Sequence, residues 1–208
     1  RTGSGKSTLV KLLWRALDYY EGDILIDGKS IKQIDLKSLR SSVMILTQET
    51  ALVEATLREN IDIRLVDKSR DAEIKALLDK LGFANNNYLS DGLDMKLDGD
   101  GSNLSAGEKQ LISFASTILD KKPILVLDEA TANIDLKTEE KIQQCIAEEF
   151  VDTTMIVIAH RIQTIMGCDK ILVLEKGKMV DFDTPANLSA RPDSYFNQII
   201  QKMREQHH

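Results

Sequence analysis

Apolar residues recur along this chain at two periods. Leu9, Leu12, Leu13 and Leu17 fall at helical spacing and predict a helix over 6–17. Ile74, Leu77, Leu78 and Leu81 line one face of a second helix, over 71–81, which Gly82 stops. A third runs over 107–119, with Leu111, Ile112, Ala115, Ile118 and Leu119 apolar. Between glycines, 22–28 reads as a short strand, and 43–46 as another that ends in Thr47-Gln48. Residues 85–101 are polar and rich in Gly and Asp, a connecting segment. From Pro123 the pattern changes. Three apolar runs, 124–127, 155–159 and 171–174, alternate with helical stretches near 137–150 and 162–166. Short buried strands alternating with helices imply an α/β fold with a mostly parallel sheet flanked by helices. Residues 175–178 read as a hairpin turn into a strand over 179–182. Thr184-Pro185 supplies an N-cap followed by proline at the first helical position, and 195–204 forms a terminal helix. The chain reads as one domain over 1–208. Its sheet-forming core spans 1–50 and 122–208, and 51–121 is a helical insert.

Composition narrows the function classes. The 208 residues carry 27 Lys and Arg against 33 Asp and Glu, a net charge of −6, so no basic excess points to nucleic acid. No apolar run approaches the ~20 residues needed to span a bilayer, so this segment is not expected to insert into a membrane. Cys145 and Cys168 have no metal-ligand spacing and read as two reduced thiols. The chain opens within a motif, so an upstream segment is expected.

That motif is Thr2-Gly3-Ser4-Gly5-Lys6-Ser7-Thr8. It fits the phosphate-binding loop if a glycine precedes Arg1. Glycines let backbone N–H groups curl around phosphate oxygens without Cβ interference. The helix that follows aims its positive end at the anion. Lys6 reaches the β and γ phosphates as a point charge, and the Ser7 hydroxyl suits Mg²⁺. A nucleoside triphosphate is the implied ligand, and a glycine-rich turn capping an amphipathic helix is the plainer alternative.

Two further segments bear on chemistry. The apolar run 124–127 ends in Asp128-Glu129. Uncompensated carboxylates are costly inside a sheet, so these acids are expected at its carboxyl edge. There Asp128 would hold Mg²⁺ and Glu129 would act as general base toward water. The second segment is Leu104-Ser105-Ala106-Gly107-Glu108. Locally it is a capping box, Ser105 at the N-cap and Glu108 three residues on. Its free N–H groups also make a second anion site, most naturally for a phosphate on another subunit.

In this order the residues resemble the nucleotide-binding domain of ATP-binding cassette (ABC) transporters, over essentially the whole chain. The matching residues are the loop through Lys6, Gln48, the signature Leu104–Glu108, the acids Asp128-Glu129, the D-loop Ala132-Asn133-Ile134-Asp135 and the switch His160. Asp27-Gly28, 36–40 and 56–62 look most like the C subfamily of multidrug-resistance-associated exporters, and within it the second cassette. The resemblance implies a P-loop NTPase with a helical subdomain that binds and hydrolyses ATP with Mg²⁺. It implies a head-to-tail dimer with a second nucleotide-binding domain, in which Ser105 and Gly107 meet the partner's ATP and Asp135 touches the partner's site. It assigns Gln48 to Mg²⁺, to the attacking water and to communication with transmembrane domains. It assigns His160 to the γ-phosphate and to positioning Glu129. The location implied is the cytoplasmic face of a membrane. Leu52, Val53 and Leu57 would line a groove for the membrane domain or else pack internally. The signature departs from Leu-Ser-Gly-Gly-Gln at Ala106 and Glu108, with mild effects expected. Two alternatives stand beside the exporter motor. One is a soluble ABC ATPase of translation or DNA repair, and the other a regulatory cassette without turnover, against which Glu129 speaks.

Overall fold

A computed structural model describes residues 4–47, 51–62, 68–99, 101–128, 135–158 and 162–205. The chain divides into two compact units, Arg1–Arg40 with Val157–His208, and Ser41–Ile156.

The elements run in order α1 Lys6–Leu13, β1 Leu25–Ile26, β2 Lys29–Ser30, α2 Leu36–Ser42, β3 Val43–Thr47, β4 Ala55–Thr56, α3 Leu57–Ile61, α4 Asp71–Leu81, α5 Asn86–Asp91, β5 Lys96–Leu97, α6 Ala106–Leu119 and β6 Ile124–Asp128. They continue with α7 Leu136–Glu149, β7 Thr154–Ile158, α8 Ile162–Met166, β8 Ile171–Glu175, β9 Lys178–Asp183, α9 Pro185–Ser189 and α10 Tyr195–Glu205. Helical turns of the tighter kind cover Lys68–Arg70 and Gly92–Asp94.

In the first unit, α1 stops four residues before the apolar spacing does. Arg15 takes φ 49, a left-handed turn that ends the helix. Its guanidinium donates to the carbonyls of Ile31 at 3.1 Å and Ile34 at 2.8 Å. Tertiary hydrogen bonds thus override the helical period. The strand expected over 22–28 is instead a hairpin of β1 and β2. It reverses at Asp27-Gly28, with φ 49 and 78, the geometry of a type I′ turn. The β8–β9 hairpin turns at Lys176-Gly177 in the same way, φ 49 and 76. Val173, Leu188, Phe196 and Ile200 form a buried cluster behind it. Thr184 accepts from Asn187 N–H and Pro185 follows, as the capping pattern requires.

In the second unit, β3 pairs parallel with β6, Val43 opposite Ile124 through Thr47 opposite Asp128, and the sheet order is β3-β6-β7. β6 is buried from Ile124 to Leu127. β7 ends the order and is exposed at Thr154 and Met155. Helix α6 packs on α3, α4 and β3. Gly82, at φ 75, closes α4 as its position predicts. The 85–101 segment is more structured than its composition suggests, holding α5, a tight helical turn and β5, which pairs with β4. Arg58 joins three of these pieces, donating to both oxygens of Asp71 at 2.6 and 2.9 Å and to Asp94.

One buried group in this unit lacks a partner among the described residues. Gln110 is 3% exposed, and neither its Nε2 nor its Oε1 makes a hydrogen bond there. An unsatisfied buried amide costs about 1–3 kcal/mol, while an apolar side chain of similar shape avoids that cost. Gln110→Met should therefore raise the melting temperature by several degrees, since each kcal/mol moves it by roughly 2–4 °C at this size. Calorimetry checks this, and a lower midpoint would mean that the amide is bonded.

Candidate functional site

The loop 4–8 belongs to the first unit. Gly5 sits at φ 101 as the N-cap of α1, and no side chain among the described residues caps that helix. An N-cap without a side-chain acceptor leaves the first N–H groups of the helix available to an anion. A hydrogen bond of 3.1 Å from Gly177 N–H to the Ser4 carbonyl fixes the loop's other side. A Cβ on Gly5 would lie 3.5 Å from the Gly177 Cα, so the β8–β9 turn backs the loop closely. Lys6 Nζ donates to Ser4 Oγ at 3.3 Å, and Ser7 and Thr8 are exposed. Backbone donors, an ammonium and an exposed hydroxyl are the donor set a magnesium triphosphate needs, so these residues fit it. Gly177 is a supporting residue that the sequence pattern did not single out. Its only signal was a Lys-Gly turn.

Asp128 and the signature lie in the second unit. Asp128 is the last residue of β6, half-buried, and opposite Thr47 at the carboxyl edge of the parallel pair. The chain therefore brings Asp128 beside the strand end from which Gln48 follows. Among the described residues no three His, Cys, Asp or Glu side chains gather as a metal site.

Ser105 is the N-cap of α6, exposed, and its Oγ accepts from Glu108 N–H at 3.2 Å. Glu108 Oε2 accepts from Ser105 N–H at 2.7 Å, which completes the capping box. Leu104 is buried and anchors the turn, while Ala106 is exposed and a Cβ on Gly107 would meet open space. Burial pushes the Glu108 carboxyl up. Hydrogen bonds from Ser105 and Asn85 outweigh that and hold it below the usual carboxylate range. Asp135 is exposed and caps α7, accepting from Thr138 N–H at 3.1 Å. Thr2, Gly3, Gln48, Glu129, 132–134 and His160 lie outside the described residues.

Of the three apolar residues expected in a docking groove, Leu57 is fully buried and packs internally. Leu52 is half-buried, and Val53 is 60% exposed.

Known proteins resemble this chain over nearly its whole length. The ABC transporter family model matches residues 1–132. The putative ABC transporter C family member 15 of Arabidopsis thaliana is 42% identical over 203 residues, 97% of this chain and 19% of that protein. Bile pigment transporter 1 of Saccharomyces cerevisiae is 40% identical over 218 residues, 97% of this chain and 14% of that protein. A bacterial Atm1-family ABC exporter solved with ATP bound superposes at a TM-score of 0.87, with 35% identity over 97% of this chain and 35% of its own. The chain thus spans less than one fifth of these curated relatives. With the family model matching residues 1–132 and the fold superposing on that exporter over 97% of this chain, the chain belongs to the ABC transporter family, as one of its nucleotide-binding cassettes.

Proposed function

We propose that this cassette is the ATP-driven motor of a membrane exporter, working at the cytoplasmic face. Two helix N-termini on one chain carry the reading, the uncapped one at Gly5 for its own nucleotide and the exposed, side-chain-capped one at Ser105 for that of another cassette. No helix among the described residues is long and apolar enough to cross a membrane, so the reading assigns transport to separate transmembrane domains. Exposed Val53 is a candidate contact for them. The division into a core of 1–50 and 122–208 and an insert of 51–121 belongs to this proposal, as does assignment to the second cassette of a C-subfamily exporter.

Bound ATP would supply the phosphoanhydride to be cleaved. Lys6 would pair with the β and γ phosphates, while backbone N–H groups along 2–8 would cradle them. Ser7, Asp128 and Gln48 would ligate Mg²⁺. Glu129 would accept the proton of the attacking water, and His160 would orient it against the γ-phosphate. Ser105 and Gly107 would take the γ-phosphate held by the partner cassette in a head-to-tail pair, so that its loss releases the pair. Asp135 would border the partner's site.

Lys6→Ala tests the reading in the complete transporter. A charge-assisted contact of about 1.5–3 kcal/mol is removed, so ATP affinity should fall roughly tenfold or more. Equilibrium binding of a fluorescent ATP analogue measures it. Unchanged affinity would overturn the assignment of the loop.

A further inference from the structure

The fifth signature residue, Glu108, is ionised and stands on the first turn of α6. A carboxylate there favours the helix but opposes a second anion at the same helix end. Left to swing outward, it would repel a phosphate approaching Ser105 and Gly107.

The structure occupies both oxygens of that carboxylate. Oε2 accepts from Ser105 N–H and Oε1 accepts from Asn85 Nδ2, each at 2.7 Å. The orientation of Asn85 is forced. Its Oδ1 accepts the backbone N–H groups of Asn87 at 2.9 Å and Tyr88 at 3.4 Å, which leaves only the amide nitrogen to face Glu108. The start of α5 is itself steadied by an edge-on contact of the Phe83 and Tyr88 rings, centroids 5.4 Å apart. Asn85 lies 23 positions before its acceptor, in a stretch whose composition reads only as polar connection.

We propose that Asn85 is a positioning residue for the signature: its amide holds the Glu108 carboxylate within the capping box, so that a negatively charged signature still receives a nucleoside triphosphate from a partner cassette. The inference rests on the reading of Ser105 and Gly107 as that site.

A charge-and-donor cycle in the complete transporter tests it. Asn85→Asp keeps the cap on α5, because aspartate accepts the same N–H groups. It sets acceptor against acceptor at Glu108 and drives that carboxylate outward. Asn85→Ser also caps α5 but is too short to reach Glu108. The KM for ATP hydrolysis should rise about tenfold in Asn85→Asp and a few-fold in Asn85→Ser, with kcat changing less than KM. Adding Glu108→Gln to Asn85→Asp should bring KM back to within about twofold of the parent, because the glutamine Nε2 donates to the introduced aspartate while its Oε1 still accepts from Ser105 N–H. A purely structural role for Asn85 would shift the unfolding midpoint without this rescue. Parental KM in Asn85→Asp, or a double variant no better than the single one, overturns the inference. Ser105→Arg separates the two levels. Undiminished hydrolysis in that variant removes the underlying reading and the inference with it. Loss of hydrolysis there beside a parental Asn85→Asp removes the inference alone.

Discussion

Glu129→Gln should leave ATP bound and nearly stop phosphate release. Glutamine matches glutamate in shape but cannot accept a proton, so the substitution removes general-base catalysis and little else. That contribution is typically about 10²–10⁴-fold in rate. The position follows from β6. Its buried run from Ile124 to Leu127 carries no polar side chain, and Asp128 emerges half-buried at the carboxyl end, opposite Thr47. Glu129 is the next residue, so the proposal places it at the sheet edge where a parallel α/β architecture meets its ligand. Two measurements on the complete transporter check the result. Phosphate release should fall by at least two orders of magnitude, to about 1% of the parent. Retention of labelled ATP should persist or increase, because the step that separates paired cassettes is blocked. A cassette that only regulates a partner would show no change in either. Hydrolysis at the parental rate would exclude Glu129 as the base.

The parts of this fold that could be read from sequence are those that one period or one cap determines. Ile74, Leu77, Leu78 and Leu81 repeat over about two turns and end at Gly82, and α4 ends there as expected. Ser105 and Glu108 specify a cap within four residues, and the hydrogen bonds form as expected. Thr184-Pro185 did the same for α9. Elements set by distant contacts escaped. α1 stops at Leu13 because Arg15 bonds to carbonyls sixteen and nineteen residues away. β1 and β2 are two residues each, too short for alternation to register, and only Asp27-Gly28 signalled a turn. For Leu57 the sequence left a partner groove and internal packing both open, and the structure selects the second: it opens α3, fully buried, and its N–H donates to the Met95 carbonyl at 2.8 Å. At the candidate site the same division holds. The helix start at Gly5 and the cap at Ser105 are local in sequence and were legible as local structure. The hydrogen bonds from Gly177 to Ser4 and from Asn85 to Glu108 span folded distance and were not.

Phe114→Ala should be the most destabilising simple truncation in the signature helix. Phe114 is 1% exposed on α6, and Ile112 and Ala115 beside it are fully buried. Removing a buried phenyl ring loses its transfer free energy and leaves a cavity, together about 3–5 kcal/mol. Domains of this kind have roughly 5–15 kcal/mol in total, so the variant should sit near the limit of folding. Urea denaturation of the complete transporter, followed at the cassette, gives the shift. A loss below about 1 kcal/mol would mean that the helix face is not packed as the structure has it. The comparison with Gln110→Met makes the test sharper. The two residues stand one turn apart on the same helix, and both are buried. If burial alone set the outcome, both substitutions would destabilise. Because the amide of Gln110 is unsatisfied among the described residues while the ring of Phe114 fills space, the two shifts should have opposite signs. Activity should then follow stability in Phe114→Ala, recovering at lower temperature, since Ser105 and Gly107 at the start of α6 need that helix formed before they can meet a partner's phosphate.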